Sequence, residues 1–179
     1  HQLIFAHAAI SDPAHGRLRH DQRAARAGFG LAEAAQEDTR IVLDDWRLER
    51  RDDVYVMRVK GRDFRLALEA VPSGLPVPQG DRGFSRKGPR PAQASWYYSR
   101  PQLAVRGSVT VEGRETAVTG RAWLDHEWSS ELLDDAAVGW DWAGVNLDDG
   151  GALTVFRLRD AAGNTRWAGG SRRWPDGRQ

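Results

Sequence analysis

The chain has 179 residues, a formal net charge of +1 and no cysteine. A chain of this length is expected to form one domain with a sizeable core. The absence of cysteine excludes disulfides, thiolate catalysis and Cys-ligated zinc, and the near-neutral charge gives no basis for a nucleic-acid partner, although 24 of the 26 Lys and Arg residues are Arg.

The first predicted strand covers residues 1–12 and carries apolar side chains on both faces. It contains His7, and a lone His in an apolar strand is interpreted first as a hydrogen-bonded core residue. The chain begins inside this strand without an initiator Met, which we interpret as a trimmed N-terminus. Residues 13–40 are polar and rich in Arg, so they are predicted to be a long connection with at most a short helix at 31–37.

Three β-rich runs follow at residues 41–49, 53–59 and 64–71. Their links are short, which predicts antiparallel hairpins and not crossover helices. Residues 72–94 are rich in Pro and Gly and are predicted to be neither strand nor helix. A loop of that length is typical of a lid or a binding loop, and the alternative is a disordered surface excursion.

Five more strands are predicted in the remainder of the chain. They cover residues 95–113, 115–128, 137–151, 152–160 and 164–174, with hairpin turns at 112–114 and 148–151. About nine or ten strands with almost no helix are typical of an antiparallel barrel or sandwich. A barrel of this size can hold one small hydrophobic ligand. No run of about 18 apolar residues exists, so no membrane span is predicted.

The stretch 120–142 contains four of the eight Trp and a pair of carboxylates, Asp125 and Glu127. On a strand, these two share a face at about 6.6 to 6.8 Å between their Cα atoms, together with Arg121 and Trp123. Like charges at that range raise at least one pKa, and desolvation by Trp123 acts in the same direction, so a proton donor is expected. The alternative is a solvated wall on which Arg121 pairs with both acids.

Two groups of aromatic residues accompany this pair. Trp140 and Trp142 alternate with Asp141, so Asp141 lies outside any cavity that the indoles line, unless it is buried and has a partner. Residues 96–98 form a second aromatic block. Structural packing is the default interpretation, but a barrel that holds a flat or polyene ligand would need such walls and phenol donors.

Motifs of other site types are missing from the sequence. There is no G-x-S-x-G, H-E-x-x-H, Walker A or Rossmann fingerprint. Asp125, His126 and Glu127 are adjacent, so their side chains alternate across a strand and cannot bind one metal ion together without a bulge. A glycosidase pair is a weaker alternative for the two carboxylates. We therefore predict neither a metal nor a cofactor.

Several motifs together resemble the AttH-like / carotenoid 1,2-hydratase family. They are GFSRKG at 83–88, SWYYS at 95–99, AWLDHEWSS at 122–130, GWDWAGVNL at 139–147 and FRLRD at 156–160. The resemblance covers most of the chain from His7 onward. It implies that residues 1–168 form a lipocalin-like antiparallel barrel, the first of two, and that residues 169–179 begin a linker to the second barrel. It also implies a periplasmic or secreted bacterial protein.

The resemblance further implies acid-assisted chemistry on a hydrophobic, isoprenoid-like substrate. In the hydratase branch, an Asp in a Tyr-x-Asp-His-Asn context protonates a terminal C=C bond, and water then captures the carbocation. Asp125 occupies that place, whereas Trp123 replaces the Tyr and Glu127 replaces the Asn. Asp125 is the expected general acid, and Glu127 or His126 is the group expected to position water or restore the proton. The residues expected to bind ligand are Trp96, Tyr97, Tyr98, Trp123, Trp140, Asp141, Trp142, Lys87 and His7.

Two other functions remain open at this point. One is a non-catalytic carrier or envelope protein that binds a lipid and passes it to an ABC transporter. The other is a secreted hydrolase, which the family label suggests but for which the sequence offers no nucleophile and base. The expected partners are a hydrophobic small molecule and the second barrel, and no nucleic acid.

Overall fold

The computed structural model describes residues 2–131 and 134–179, which are built from β-strands. The strands are β1 (Leu3–Asp12), β2 (Arg17–Arg26), β3 (Ala32–Ala34), β4 (Arg40–Leu43), β5 (Trp46–Arg51), β6 (Val54–Lys60), β7 (Phe64–Val71), β8 (Val77–Pro78), β9 (Phe84–Arg86), β10 (Ala94–Val111), β11 (Arg114–Trp128), β12 (Gly139–Asn146), β13 (Ala152–Arg159) and β14 (Thr165–Arg173). The described residues contain one 3₁₀ turn, Pro13–His15, and no α-helix, so the predicted all-β class is confirmed. None of these residues belongs to a helix with the length and hydropathy of a membrane span.

Three residues lie outside the described ranges. They are His1, which the predicted first strand includes, and Leu132 and Leu133, which belong to the stretch 120–142.

The chain divides into two compact units. Unit 1 comprises His1–Val71 and Ala104–Gly120, and unit 2 comprises Pro72–Leu103 and Arg121–Gln179. The long strands β10 and β11 are neighbours in one sheet and contribute residues to both units.

Unit 1 is an antiparallel meander accompanied by a separate hairpin. The strands β3 to β7 pair in chain order, and β7 pairs with the second half of β10. β1 and β2 form their own two-stranded sheet. Two groups of buried apolar side chains make the core of this unit: Ile4, Ala32 and Leu43 form one, and Trp46, Val59 and Phe64 form the other.

The prediction of a long connection at residues 13–40 is wrong. Both β2 and β3 lie within it, and β3 takes the place of the predicted short helix at 31–37. The pattern is misleading because Arg19 lies on the inner face of β2 with its side chain only 3% exposed. Its guanidinium donates to Asp63 at 2.6 Å and Glu112 at 2.7 Å, so partners distant in sequence compensate the buried charge.

The prediction that His7 is a core residue is also wrong. The side of β1 that carries Ile4 and Ala6 is the buried or half-buried one, whereas Phe5 and His7 are exposed. The two exposed rings meet edge to face, with 6.2 Å between their centroids. Only one face of β1 is therefore covered within unit 1.

Unit 2 combines the first half of β10 and the last part of β11 with a three-stranded antiparallel sheet, β12–β13–β14. The short strands β8 and β9 pair with β10. Residues 72–94 therefore contain two short strands, although they were predicted to contain none. β8 can include Pro78 because it pairs on one side only, where the missing N–H is tolerated. β14 extends to Arg173, so residues 169–173 of the predicted linker lie in a strand.

Both predicted hairpin turns are present. The turn between β10 and β11 uses Glu112 and Gly113, with φ of 51° and 81°. Positive φ at both central residues is what a two-residue hairpin of type I′ requires. The turn between β12 and β13 covers residues 147–151 and places Gly150 at φ 87°.

Candidate functional site

Unit 2 contains a largely apolar pocket of about 460 Å³. Its walls come from β10 and β11 on one side and from β12 and β13 on the other, and its polar groups include Lys87, Ser95 and Glu127. The large apolar side chains of the walls are Tyr97, Trp128, Trp140, Trp142, Phe156 and Leu158. A concave apolar surface with a few convergent polar groups is typical of a small-molecule site.

The alternation of β10 determines which of its side chains face the pocket side of the strand. Ser95, Tyr97 and Ser99 are buried, whereas the residues between them point the other way. Trp96 is exposed and meets Phe84 edge to face at 5.6 Å between ring centroids. The aromatic block at 96–98 is thus divided between the two faces of the strand.

The two carboxylates of β11 lie on the same side as these β10 residues. Ser99 Oγ donates to Asp125 at 2.6 Å, and Ser95 Oγ donates to Glu127 at 2.5 Å. The indole N–H of Trp123 also donates to Asp125, at 2.7 Å. Asp125 and Glu127 therefore share a face as the strand alternation predicts, and each is held by a serine.

The expected surroundings of Asp125 need two corrections. Arg121 does not pair with either acid, because its guanidinium donates to the side-chain oxygen of Gln102. Asp125 is nevertheless exposed, so the predicted desolvation is wrong. The physical reason is that Trp123 meets the carboxylate through its polar N–H and does not cover it with its ring.

A buried hydrogen-bond network fixes Ser99, the serine that donates to Asp125. Ser99, which is fully buried, accepts from Gln79 Nε2 at 3.0 Å. The same Nε2 donates to Thr154 at 3.2 Å, and Gln79 Oε1 accepts from Ser171 at 2.5 Å. Because each member has partners inside the fold, the direction of the Ser99 hydroxyl towards Asp125 is fixed.

Tyr97 connects this network to the aromatic wall. Its hydroxyl accepts from the indole N–H of Trp142 at 3.1 Å, and it also interacts with Ser99 and Asp125. Burial is the main cause that raises the pKa of Tyr97 to about 12. The phenol therefore stays protonated at neutral pH. Trp142 in turn meets Trp123 edge to face at 6.2 Å between ring centroids.

Lys87 and Glu127 form the charged part of the pocket. Lys87 Nζ lies 2.9 Å from Glu127 Oε1, and the Lys87 side chain is only 14% exposed. The ammonium also lies over the rings of Phe156 and Tyr97, at 4.1 Å and 4.9 Å from their centroids. An ion pair and two cation–π contacts fix this charge among apolar walls.

Several predicted site residues lie elsewhere. His126 is on the opposite face from Asp125, where its ring contacts Trp128 and its Nδ1 lies 3.0 Å from the hydroxyl of Tyr98. His7 belongs to unit 1 and is exposed. Trp128, which was not among the predicted ligand-binding residues, lines the pocket at the end of β11.

Asp141 is outside the pocket, which corrects its assignment to the ligand-binding set. Its carboxylate accepts from Arg157 at 2.6 Å and from Arg159 at 3.1 Å. Hydrogen bonds from Arg157 first and Arg159 second lower the pKa of Asp141. Trp140 and Trp142 line the pocket on the other face, as strand alternation requires once the indoles are inside.

Some residues of the site were not singled out in the sequence. Ser95 and Ser99 stand in the SWYYS motif, and their spacing from Tyr97 is the period-two signal that places them on its face. Gln79 has no such signal, because its partners come from β10, β13 and β14. Among residues 2–131 and 134–179, no three His, Asp or Glu side chains are arranged to hold a metal ion.

Comparison with known proteins places the chain in a wider context. A model of the AttH-like family matches residues 1–179. A crystal structure from Nitrosomonas europaea that carries the AttH designation is 50% identical, with a TM-score of 0.93, and the match covers 98% of this chain and 55% of that one. No curated protein matches.

A second solved structure is kievitone hydratase from Nectria haematococca. It is 11% identical with a TM-score of 0.75, and the match covers 97% of this chain and 53% of that one. At this identity the likeness shows the fold alone, and it confirms the predicted lipocalin-like class. The chain therefore spans a little over half the length of each of these two structures.

Proposed function

Because the chain belongs to the AttH-like family, we propose that its pocket in unit 2 binds a hydrophobic, isoprenoid-like or lipid-like molecule and assists the addition of water to a C=C bond. The proposal rests on Asp125 and Glu127, two carboxylates that accept hydrogen bonds from Ser99 and Ser95. Both lie on the same side of the sheet as Tyr97, which lines the pocket. Their surroundings differ, which suits two different roles in acid–base chemistry.

Asp125 is the general acid of this proposal. Its hydrogen-bond donors, Ser99 and Trp123, are neutral, and no described Lys, Arg or His forms an ion pair with it. A proton passes from its carboxyl group to one carbon of the alkene, and the other carbon becomes a carbocation. The indoles of Trp140 and Trp142 and the ring of Tyr97 stabilise that cation through their π faces.

Glu127 and Lys87 position the water molecule in the second step. The Glu127 carboxylate can accept a hydrogen bond from water, and the Lys87 ammonium holds that carboxylate in place. Addition of water to the carbocation gives a protonated alcohol, and its extra proton returns to Asp125. The net reaction adds water to an alkene to give an alcohol, and no cofactor is consumed.

The test is a labelling experiment with the full-length protein. Ligands extracted from the purified protein are incubated with it in H₂¹⁸O and analysed by mass spectrometry. We expect a product heavier than its precursor by one labelled water, and we expect Asp125→Asn to retain the ligand and form no product. Asp141→Asn is the matched control and should form product at the normal rate. Product formation by Asp125→Asn would remove Asp125 from the mechanism.

A carrier function is the second candidate, and the solvent exposure of Asp125 favours it. In that case the same apolar pocket retains a lipid without chemical change and passes it to a partner, proposed to be an ABC transporter, in the periplasm or outside the cell. The labelling experiment then returns unchanged ligand with both the normal protein and Asp125→Asn.

A secreted hydrolase is a third candidate, which rests on Ser95, the pocket hydroxyl beside Glu127. It predicts cleavage products in the same experiment and their loss in Ser95→Ala.

A further inference from the structure

A second cavity of about 460 Å³ lies in unit 2. It shares no lining residue with the largely apolar pocket around Trp140 and Trp142, the aromatic pocket. Two arginines, Arg121 and Arg173, line it together with the apolar side chains of Leu75, Pro76 and Val77. Because two guanidinium groups face this cavity, it suits an anionic group, whereas the aromatic pocket suits an apolar one.

The orientation of Arg121 is fixed by Gln102. Gln102 is 2% exposed, and its Nε2 donates to the carbonyl oxygens of Leu147 at 2.8 Å and Gly151 at 2.7 Å. Its main-chain N–H donates to Asn146 Oδ1 at 2.7 Å. With its amide nitrogen bound in this way, Gln102 can only present its side-chain oxygen to Arg121, which donates to it.

The backbone of Gln102 is unusual in a way that supports a built site. Its φ is +58°, in the left-handed region that few residues other than Gly adopt. Such a conformation costs free energy and persists where the surrounding contacts determine it. Here those contacts hold the one side chain that orients Arg121.

Arg173 is anchored from the other side of the cavity. Its Nη2 donates to the carbonyl oxygen of Gly150 at 3.1 Å, and its Nη1 lies 3.6 Å from the position that a Cβ on Gly74 would occupy. Each guanidinium group is thus tied to the fold through one of its two Nη atoms, and among the described residues its other N–H donors have no hydrogen-bond acceptor.

The positive charges of this cavity are not neutralised by the described part of the protein. Neither Arg121 nor Arg173 forms an ion pair with a carboxylate of residues 2–131 or 134–179. The lining includes one acidic side chain, Asp176, and its Oδ2 already accepts from Arg178 at 2.6 Å. Two like charges in one small cavity repel each other unless an anion lies between them.

We propose that this second cavity binds the oxyanion group of a small molecule, a phosphate or a carboxylate, between Arg121 and Arg173. Guanidinium groups bind such planar or tetrahedral oxyanions through paired hydrogen bonds. The neighbouring walls at Leu75 and Val77 accommodate a short apolar part of the same molecule. The site is independent of the proposed hydration chemistry, because it uses none of the residues of the aromatic pocket.

The test follows backbone amide signals by NMR while the protein is titrated at low ionic strength. One arm uses inorganic phosphate and the other uses hexanoate. We expect saturable shifts at residues 73–75, 77 and 150 in at least one arm, weakened as salt is added. Binding of phosphate alone assigns the site to phosphate compounds, and binding of hexanoate alone assigns it to carboxylates.

Variants decide whether the two arginines cause the binding. Arg121→Met and Arg173→Met should each weaken it by about tenfold or more. Arg157→Met, which changes an exposed arginine outside the cavity, should not. Leu75→Glu adds a carboxylate at the rim and should weaken binding by charge repulsion, and because Leu75 is 85% exposed the variant should fold. The proposal is overturned if neither anion binds or if Arg121→Met and Leu75→Glu bind as tightly as the normal protein.

Discussion

Lys87 is the residue that most clearly distinguishes the aromatic pocket of unit 2 from a purely hydrophobic cavity. Its side chain is 14% exposed, and its ammonium group contacts one carboxylate and two aromatic rings. A ligand with a single oxygen atom can hydrogen-bond to this ammonium, whereas a hydrocarbon cannot. Lys87 should therefore select for the polar end of the ligand.

The replacement Lys87→Met keeps the length of the side chain and removes its charge. We expect it to weaken binding of an isoprenoid alcohol by about tenfold, because a charged hydrogen bond is lost. Binding of the matching hydrocarbon should change little. Competition for a fluorescent apolar probe measures both affinities. Lys60→Met, which alters the second lysine of the chain, is the control, and equal loss for alcohol and hydrocarbon would contradict the assigned role.

Ser99 is the residue through which the buried network reaches Asp125. The variant Ser99→Ala leaves the Gln79 amide without one acceptor and Asp125 without one donor. We expect a loss of about 1 to 3 kcal/mol in the free energy of unfolding, the usual cost of a buried polar group without its partner. Urea denaturation measures it, and Ser130→Ala, on an exposed serine, should stay within the experimental error. An unchanged midpoint for Ser99→Ala would show that the network contributes no net stability.

At the scale of single elements, β12 shapes the pocket through a residue that has no side chain. A Cβ on Gly144 would lie 2.6 Å from the Trp142 ring and 2.8 Å from the Trp123 ring. These rings are rigid and already in edge-to-face contact, so neither can move away at little cost. The strand therefore needs glycine at this position for the two indoles to meet.

Gly144→Ala should separate the two indoles and destabilise the protein by about 1 to 3 kcal/mol, as overpacking does. Near-ultraviolet circular dichroism detects the change in indole packing, and thermal unfolding measures the stability. Gly120→Ala is the control on β11, because a Cβ there meets no atom within 4 Å. Native dichroism in Gly144→Ala would mean that the rings adapt more easily than the contact distances indicate.

Arginine accounts for much of the acid–base behaviour of the whole molecule. Hydrogen bonds from arginine are the largest cause that lowers the pKa of several carboxyl groups. These groups and their arginines are Glu49 with Arg51, Glu112 with Arg19, Asp134 with Arg166, Asp141 with Arg157 and Asp176 with Arg178. The abundance of Arg serves ion pairing in these five cases.

Because these pKa values are lower in the folded state, the carboxylates stabilise the fold above their unfolded pKa values. That contribution is lost as the pH falls through the lower, folded values. We expect the melting temperature to fall in acid, below about pH 4, and the fall to be smaller in Asp141→Asn. Added salt should reduce the difference, because the ion pairs of Asp141 with Arg157 and Arg159 are exposed. Parallel pH profiles for the two proteins would contradict a role for Asp141.

The sequence alone determined the features that depend on neighbouring residues. Period-two alternation established the all-β class and the shared face of Asp125 and Glu127, because strand geometry relates residues that are two positions apart. Turn composition between two strands established the hairpin turn at 112–114. The resemblance to the AttH-like family was likewise readable from short motifs, and it is confirmed.

Only the tertiary structure decided which partner each polar side chain has. Arg121 binds Gln102, 19 positions away, and leaves Asp125 to Ser99, 26 positions away. β2 and β8 are strands because β1 and β10 pair with them, although their own composition favours a loop. Such choices depend on residues that are brought together by folding, and no local pattern records them.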